Sequence, residues 1–251
     1  MASISYSASA QTAEKAPVGP LRVSFVFPMY NEKDNIATCV SMAHDVGQAL
    51  FAQTEIIVVD DASTDGSGEL AESLKPRFPE LRVVHHRTNK KLGGALRSGF
   101  AAATLDWILY IDSDLPVDMW DVRRALPLLQ EADVVIGYRI GRAEGFRREL
   151  MSFVYNRLIR ATTGLRVRDV NFAFKLFPAS LAKKTKLTSE GSFIDAELLI
   201  EARRAGLRIA ELGLEYHERT AGVSTLASYR VVLKVLGEMS TYLLRRRRKG
   251  D

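Results

Sequence analysis

Short apolar runs alternate along the chain with longer stretches whose apolar residues recur at helical spacing. The strand-like runs are Arg22–Phe27, Glu55–Asp60, Leu81–His86, Trp107–Asp112, Asp133–Gly137 and Arg208–Leu214. The helical stretches run from an Asn31 cap to about Leu50, then over Gly93–Ala103, Gly145–Thr163, Ser192–Ala205 and Ser228–Leu244. This alternation predicts an α/β fold with an open, mostly parallel sheet and helices on both faces. We expect Leu81–His86 to lie nearer an edge of the sheet than its neighbours.

Two of the predicted strands end abruptly in acidic residues. Trp107–Asp112 continues into Ser113 and Asp114, and the second strand ends in Asp60 and Asp61. The carboxyl ends of parallel strands line the crevice where ligands bind in such sheets. If the chain turns after Asp112, Asp112 and Asp114 can converge on a hard cation such as Mg²⁺ or Mn²⁺. For an isolated D-x-D pattern a polar loop after the strand is the more common explanation, and Asp60 or Asp61 can either hold a ligand or cap the next helix.

Two further segments have a possible ligand role. Tyr30, just after Pro28, offers an aromatic face that can hold a nucleobase or can simply pack under its loop. The turn around Gly93, followed by Arg97, allows backbone N–H groups and a cation to approach phosphate, although it is neither a dinucleotide fingerprint nor a P-loop. The adjacent His85 and His86 are not expected to chelate a metal, because neighbouring strand residues face opposite ways.

Composition narrows the class of protein. The chain has 251 residues, which suits one large α/β domain, and its single cysteine, Cys39, excludes an internal disulfide. No apolar run approaches the roughly 18 to 20 residues that span a bilayer, and residues 1–20 resemble a disordered leader rather than a secretory signal. We therefore expect three parts: a leader over 1–20, a catalytic domain over 21–227, and an amphipathic helix with a basic tail over 228–251.

Positive charge is concentrated in two places. The net charge is +5. Arginines, including Arg147 and Arg148, are interleaved with apolar residues in the helix at 145–163, and Arg245–Lys249 follows the last helix. These features indicate either solvated helix faces or contact with phosphate and an anionic membrane surface. Nucleic acid is not an expected partner, since no basic platform interleaved with aromatic residues is present.

Taken together, several weak motifs resemble one known family. They read Pro28-Met-Tyr30-Asn-Glu32, Val58-Val-Asp60-Asp61-Ala-Ser-Thr-Asp65-Gly66, Gly93-Gly-Ala-Leu-Arg97-Ser-Gly99, Asp112-Ser-Asp114, Gly137-Tyr-Arg139, Asp169-Val-Asn-Phe-Ala-Phe-Lys175 and Glu218-Arg-Thr-Ala-Gly-Val-Ser224. In this order they resemble family 2 nucleotide-sugar glycosyltransferases of the GT-A fold, and most closely the dolichyl- and polyprenyl-phosphate mannosyl- or glucosyltransferases. The resemblance runs from about Val23 to Tyr229.

The resemblance implies roles for individual residues. Tyr30, Glu32 and Asp61 would hold the base and ribose. Asp112 and Asp114 would bind Mg²⁺ or Mn²⁺ on the diphosphate, and Asp169 would lie near the reacting centre. Arg139, with Arg147 or Arg148, would face phosphate. The other donor- and acceptor-binding residues implied by these motifs are Pro28, Asp60, Gly93, Arg97, Lys175 and Ser224.

Three positions depart from the family pattern. Pro116 replaces a glutamine that serves many relatives as a further metal ligand. Lys175 replaces an arginine, which keeps the charge but loses bidentate geometry. Ser224 is followed by Thr225 where a lysine is usual.

The predicted function is inverting transfer of a hexose from a GDP- or UDP-sugar. The expected acceptor is a polyprenyl phosphate, at the inner face of the cytoplasmic membrane, where the enzyme would be peripheral. A phosphate acceptor is already anionic and needs no strong base, whereas a sugar hydroxyl would need one, with Asp169 or Asp195 as candidates. A soluble or glycan acceptor, or a non-catalytic module that binds nucleotide sugars, remains the alternative.

Overall fold

The fold is that of a computed structural model, which describes residues 3–4, 20–140, 146–216, 237–242 and 245. Side chains are described for 20–140, 154–216, 237–242 and 245. The cationic residues Arg147 and Arg148 are thus placed by backbone alone, and Ser224, most of the predicted last helix and most of the basic tail lie outside the described residues.

Eight described strands form one sheet in the order β1-β8-β6-β7-β5-β2-β3-β4. The strands are β1 (Ser3–Ile4), β2 (Arg22–Met29), β3 (Gln53–Asp60), β4 (Leu81–His85), β5 (Trp107–Ile111), β6 (Val134–Ile140), β7 (Phe174–Pro178) and β8 (Ile209–Glu215). Strands β5, β2, β3 and β4 are mutually parallel, as are β6 and β8. The predicted mostly parallel sheet is confirmed, and β4 lies at one of its two edges, as expected.

The strand β7 was not predicted. It lies between β5 and β6 and is antiparallel to both. It places Lys175 beside Tyr110 of the central strand β5. The sheet is therefore divided into a parallel half, β5 to β4, and a second half that is joined to it through an antiparallel strand.

Helices cover both faces of the sheet, as predicted. They are α1 (Ile36–Leu50), α2 (Ser67–Ser73), α3 (Lys91–Ala102), α4 (Val122–Ala125), α5 (Phe146–Thr163), α6 (Ala179–Lys184) and α7 (Phe193–Arg204). One apolar core lies between the sheet and α1, and the other contains buried residues of α3 and α7. No helix in the described part of the chain has the length and apolarity that a membrane span requires.

Two local expectations were wrong. Asn31 does not cap α1: the helix begins five residues later at Ile36, where the carbonyl of Glu32 accepts from the backbone N–H groups of Asn35 and Ile36. In the leader expected to be disordered, Ser3 and Ile4 pair with β8 as a short antiparallel strand. The other leader residues, up to 19, lie outside the described ones.

Candidate active site

The tips of β2, β3 and β5 are tied together at the carboxyl edge of the parallel half. The Asp61 backbone N–H donates to the Met29 carbonyl at 2.9 Å, which joins the ends of β3 and β2. The Ser113 hydroxyl donates to the Pro28 carbonyl at 2.8 Å, which joins the loop after β5 to β2. Pro28 is thus a strand residue whose carbonyl anchors the loop carrying Asp112 and Asp114.

The chain turns directly after β5. The Leu115 N–H donates to the Asp112 carbonyl at 3.2 Å, and Leu115 has a left-handed φ of 52°. The Tyr110 hydroxyl donates to Asp112 Oδ1 at 3.1 Å. Burial, with added repulsion from Asp112 and Asp195, raises the pKa of Tyr110, so the hydroxyl keeps its proton and remains a donor. The turn that the D-x-D prediction required is present.

Asp114 and Glu32 lie near each other behind this edge. The pKa of the buried Cys39 thiol, in the first turn of α1, is raised by burial and then by the charges of Asp114 and Glu32. The Glu32 carboxylate also accepts from the side chain of Asn35 at 2.7 Å. The acids that follow β2 and β5 therefore share one neighbourhood.

Tyr30 stands exposed at the mouth of this edge. Its relative exposure is 49%, which excludes the alternative that it packs under its loop. The next residue, Asn31, has a φ of 56° and is held from the β3 side: its N–H donates to the Ser63 hydroxyl, and its side-chain oxygen accepts from the Thr64 N–H. A hydrogen-bonded loop thus leaves the aromatic ring of Tyr30 open to solvent just beyond the end of β2.

Asp60 and Asp61 take different roles. Asp60 uses both oxygens within the protein, because Oδ1 accepts from the Ser63 N–H and Oδ2 from His85 Nδ1. Asp61 uses one, Oδ1, which accepts from His86 Nδ1 at 2.6 Å and from the Lys90 N–H at 2.7 Å. Neither acid caps α2, the next helix, because Asp60 instead supports Ser63 and His85. The ligand role of Asp61 stays a prediction, and among the described residues no donor contacts its Oδ2.

Arg139 and Asp169 meet at the other side of the crevice. Arg139 Nε lies 3.5 Å from Asp169 Oδ2, and both side chains are largely buried. The guanidinium also lies over the rings of Phe172 and Tyr216, at 5.4 and 5.0 Å from their centroids. A cation held between two aromatic rings is oriented as well as charged.

Three predicted ligand-binding residues are used elsewhere. The Gly93 N–H donates to the Glu190 carbonyl at 2.8 Å and is therefore not available to phosphate. Arg97 donates to the Ser189 carbonyl and so also holds the loop before α7. Lys175 is wholly buried and donates to Asp195 Oδ1 at 2.6 Å. Asp195, named as a candidate base for a hydroxyl acceptor, is likewise buried.

All four non-glycine residues with positive φ in the described chain lie at or just beyond the carboxyl edge of the parallel half. They are Asn31, Ala62, Lys91 and Leu115, which follow β2, β3, β4 and β5. Left-handed backbone costs free energy for residues with a Cβ, and such strain is concentrated at functional sites.

A comparison with known protein families shows to which family the chain belongs. The family model described as glycosyl transferase family 2 matches residues 24–187. The chain belongs to this family. The matched residues include β2 to β5, the acids at their tips and the Arg139–Asp169 pair.

This glycosyltransferase has curated relatives of similar extent. It is 31% identical to the dodecaprenyl-phosphate galacturonate synthase of Rhizobium johnstonii, over 89% of this chain and 68% of that protein. It is 27% identical to the undecaprenyl-phosphate mannosyltransferase of Micrococcus luteus, over 82% of this chain and 88% of that protein. The polyprenol monophosphomannose synthase of Mycolicibacterium smegmatis is 29% identical, over 82% and 81%.

A solved structure confirms the fold. Glucosyl-3-phosphoglycerate synthase from Mycobacterium tuberculosis, in complex with Mn²⁺, uridine diphosphate and glucosyl-3-phosphoglycerate, superposes with a TM-score of 0.68. The identity is 22%, over 93% of this chain and 86% of that one. The predicted GT-A fold is therefore confirmed.

The donor set of this glycosyltransferase fits a divalent cation that is bound together with a diphosphate. Mg²⁺ is commonly held by one or two carboxylates plus substrate phosphates and water, and Asp112 and Asp114 supply two such carboxylates. Within the described ranges, no three His, Cys, Asp or Glu side chains group closely enough to hold a metal ion alone. Pro116 adds no donor atom, so the diphosphate would complete the coordination.

Sequence reasoning missed the residues that support the acids. His86 and Ser98 form a hydrogen-bonded chain to Asp61, and Tyr110 donates to Asp112. Lys175 was named as a candidate, but its contact with Tyr110, at 5.3 Å from Nζ to the ring centroid, was not foreseen. A signal for the first was present, because two adjacent histidines end β4 beside two adjacent acids that end β3. The contact between Lys175 and Tyr110 depends on the pairing of β7 with β5, which local periodicity does not predict.

Proposed function

We propose that this glycosyltransferase moves a hexose from a nucleoside diphosphate sugar to a polyprenyl phosphate at a membrane surface, with inversion at the anomeric carbon. The observation that carries the proposal is the gathering of Asp112, Asp114, Asp61 and Tyr30 at one sheet edge, with Arg139 at the end of β6. The curated relatives named for polyprenyl phosphates support the acceptor class.

On the donor side, Tyr30 would stack on the base and Asp61 would accept from it. Asp112 and Asp114 would hold Mg²⁺ or Mn²⁺ against the diphosphate; the ion, when bound, neutralises charge that develops on the leaving group. Tyr110 fixes the orientation of the Asp112 carboxylate through its hydrogen bond.

On the acceptor side, Arg139 would orient a phosphate without moving a proton, since arginine does not deprotonate in proteins. Asp169 and the rings of Phe172 and Tyr216 hold that guanidinium in place. An anionic phosphate oxygen is already a nucleophile, so positioning would supply most of the acceleration. The basic segments of the chain would bring the enzyme to anionic lipid.

The test is a donor screen with UDP- and GDP-hexoses, using undecaprenyl phosphate in detergent as acceptor and adding either Mn²⁺ or a chelator. We expect metal-dependent transfer of sugar into the lipid phase. Product found only in the aqueous phase would favour a soluble acceptor, and the absence of any metal-dependent turnover would favour a binding module.

The Asp114→Asn variant should lose about 100-fold or more in turnover, because loss of a carboxylate weakens charge stabilisation worth several kcal/mol. The matched control is Asp106→Asn at the opposite end of β5, where the acid is exposed and pairs with Arg22. Undiminished activity in Asp114→Asn, measured on the same lipid acceptor, would remove this acid from the mechanism.

A further inference from the structure

Asp61 is held by a buried chain of side chains whose role the proposed reaction does not explain. His86 Nδ1 lies 2.6 Å from Asp61 Oδ1, and His86 Nε2 lies 2.8 Å from the Ser98 hydroxyl. The side chains of His86 and Asp61 are 3% and 4% exposed. Ser98 belongs to α3 and His86 directly follows β4, so two elements converge on one carboxylate.

This chain fixes which oxygen of Asp61 is available. Oδ1 accepts from both His86 and the Lys90 N–H, and two donors fill the two lone pairs of a carboxylate oxygen. Among the described residues, none donates to Oδ2. The carboxylate therefore offers a ligand one acceptor oxygen, in a fixed direction, instead of the two-pronged edge of a free carboxylate.

The neighbouring surface indicates what that oxygen meets. The Asp61 N–H donates a hydrogen bond to the Met29 carbonyl, and Tyr30, whose ring is exposed, is the next residue after Met29. An exposed aromatic face beside a single buried acceptor suits a planar heterocycle that stacks on the ring and donates one N–H from its edge.

Uracil and guanine differ in the number of N–H donors that they present on one edge. Uracil presents one N–H, at N3, between two carbonyl groups. Guanine presents two adjacent donors, N1–H and the N2 amino group, which match a carboxylate with both oxygens free. A site that supplies one acceptor leaves a guanine donor unpaired, and unpaired buried donors reduce affinity.

We infer that His86 and Ser98 are positioning residues that set the donor preference: they confine Asp61 to one acceptor and so select a uridine diphosphate sugar over a guanosine diphosphate sugar. The inference rests on the proposed function for the existence of a donor site, and it adds the base that this site reads.

The experiment measures Kd for UDP and for GDP by calorimetry, with Mn²⁺ present and no acceptor. We expect the wild-type enzyme to bind UDP about 10-fold or more tighter than GDP. His86→Leu removes the donor to Oδ1, and we expect it to weaken UDP about 10-fold and to bring the two affinities within about 3-fold.

His86→Asn is the conservative variant, because its side-chain amide places a donor where Nδ1 was; we expect it to keep the UDP preference. Ser98→Ala leaves the histidine in place but frees its ring, and we expect a smaller loss of preference in the same direction. The control is His44→Gln, which removes another histidine–carboxylate pair, with Glu80 just before the amino end of β4 and therefore far along the strand from Asp61.

Equal binding of the two nucleotides by wild-type enzyme, or tighter binding of GDP, would overturn the inference alone. A preference unchanged in a folded His86→Leu variant would also overturn it, since the histidine would then be structural only. Binding of neither nucleotide would remove the donor site itself and, with it, the proposed function. Kinetics give a second readout, because loss of positioning should raise the donor KM more than it lowers kcat.

Discussion

His85 and His86 are neighbours in sequence, but each supports a different acid. His86 holds Asp61 from inside the protein, whereas His85 bridges Asp60 and Glu72 with its side chain 45% exposed. Because successive residues at the end of a strand face opposite ways, the two adjacent histidines contact the two different carboxylates at the end of β3. The expectation that the two histidines would not chelate one metal agrees with this arrangement.

The outer pair should make stability depend on pH. Burial alone would lower the pKa of His85, but its hydrogen bonds to Asp60 and Glu72 outweigh burial and raise it from 6.5. A raised folded-state pKa contributes stability that is complete below the unfolded value and is lost as the pH rises through the folded one. His85→Gln should therefore cost more at pH 5.5 than at pH 9.

Urea unfolding at the two pH values measures this difference. The effect should be below about 1 kcal/mol, because the imidazole is partly exposed and solvent screens the pair. Asp60 stays ionised at pH 5.5, since hydrogen bonds from Ser63 and His85 lower its pKa against the effect of burial. An equal loss of stability at pH 5.5 and pH 9 would contradict the assignment.

The Lys175–Asp195 pair should behave differently because it is fully buried. Burial raises the pKa of Asp195, and the nearby Lys175 opposes that shift. Lys175→Met leaves an uncompensated acid inside the protein, and we expect a loss of about 3–5 kcal/mol in the free energy of unfolding.

The double variant Lys175→Met with Asp195→Leu should recover much of that loss, because no buried charge remains. Denaturant unfolding of both variants completes the cycle. The control is Lys75→Met, whose partner Glu72 is also partly exposed and where we expect a change below about 0.5 kcal/mol. Additive losses in the double variant would show that the two charges do not interact.

At the scale of elements, α3 and the loop before α7 are held together at a glycine. A Cβ on Gly93 would lie 2.1 Å from the Ser189 carbonyl oxygen, a distance that forces the loop to move. Gly93→Ala should therefore cost about 1–3 kcal/mol, as overpacking does. Thermal unfolding measures it.

The control is Gly237→Ala, where no atom of the described residues lies within 4 Å of the added Cβ. That substitution should be neutral or stabilising, because alanine favours helix over glycine. If Gly93→Ala were equally neutral, the contact between the two elements would be looser than the hydrogen bond from the Gly93 N–H indicates.

Periodicity predicted the elements better than it predicted how they are arranged. The six apolar runs from Arg22 to Leu214 are all strands, with ends displaced by a few residues. They were recognisable because a strand that is buried on both faces consists of a nearly continuous run of apolar residues. The strand β7, Phe174–Pro178, was not predicted. It is short, and its place and antiparallel direction are set by its pairing with β5 and β6. Asn31 has a capping side chain, but it bonds across to Thr64 of the neighbouring loop instead.

The placement of candidate site residues was predictable where they directly follow a strand: Asp112 and Asp114 follow β5, Asp61 follows β3 and Tyr30 follows β2, as expected. It was not predictable where tertiary contacts reassign a residue. Gly93 and Lys175 carry donors that suit phosphate, yet the Gly93 N–H donates to the Glu190 carbonyl and Lys175 donates to Asp195. Arg97 uses one of its donors on the Ser189 carbonyl.

At the scale of the whole molecule, the positive charge should decide where the enzyme works. The basic run Arg245–Lys249 can add about 1 kcal/mol of binding per cation near anionic lipid. Replacing these five residues by Gln should lower binding to phosphatidylglycerol vesicles at least tenfold in a sedimentation assay. Added salt should weaken the wild-type enzyme in the same direction.

The control is the Lys183→Gln and Lys184→Gln pair, which removes exposed charge at the end of α6. Vesicle binding of this control should change little. If both sets of replacements reduced binding by the same factor per charge, the attraction would come from net charge alone and not from the tail.

The four left-handed residues at the rim have a consequence for anyone who wishes to make this enzyme more heat-resistant. Substituting glycine for Ala62 or Leu115 would remove the steric cost of their left-handed backbone conformation and can raise the melting temperature. The same substitution would make the loops that carry Asp61 and Asp114 more flexible and their side chains less well oriented. The gain in thermal stability would then be accompanied by a loss of turnover. Thermotolerant designs are better sought on the outer helices, where rigidity and turnover do not compete.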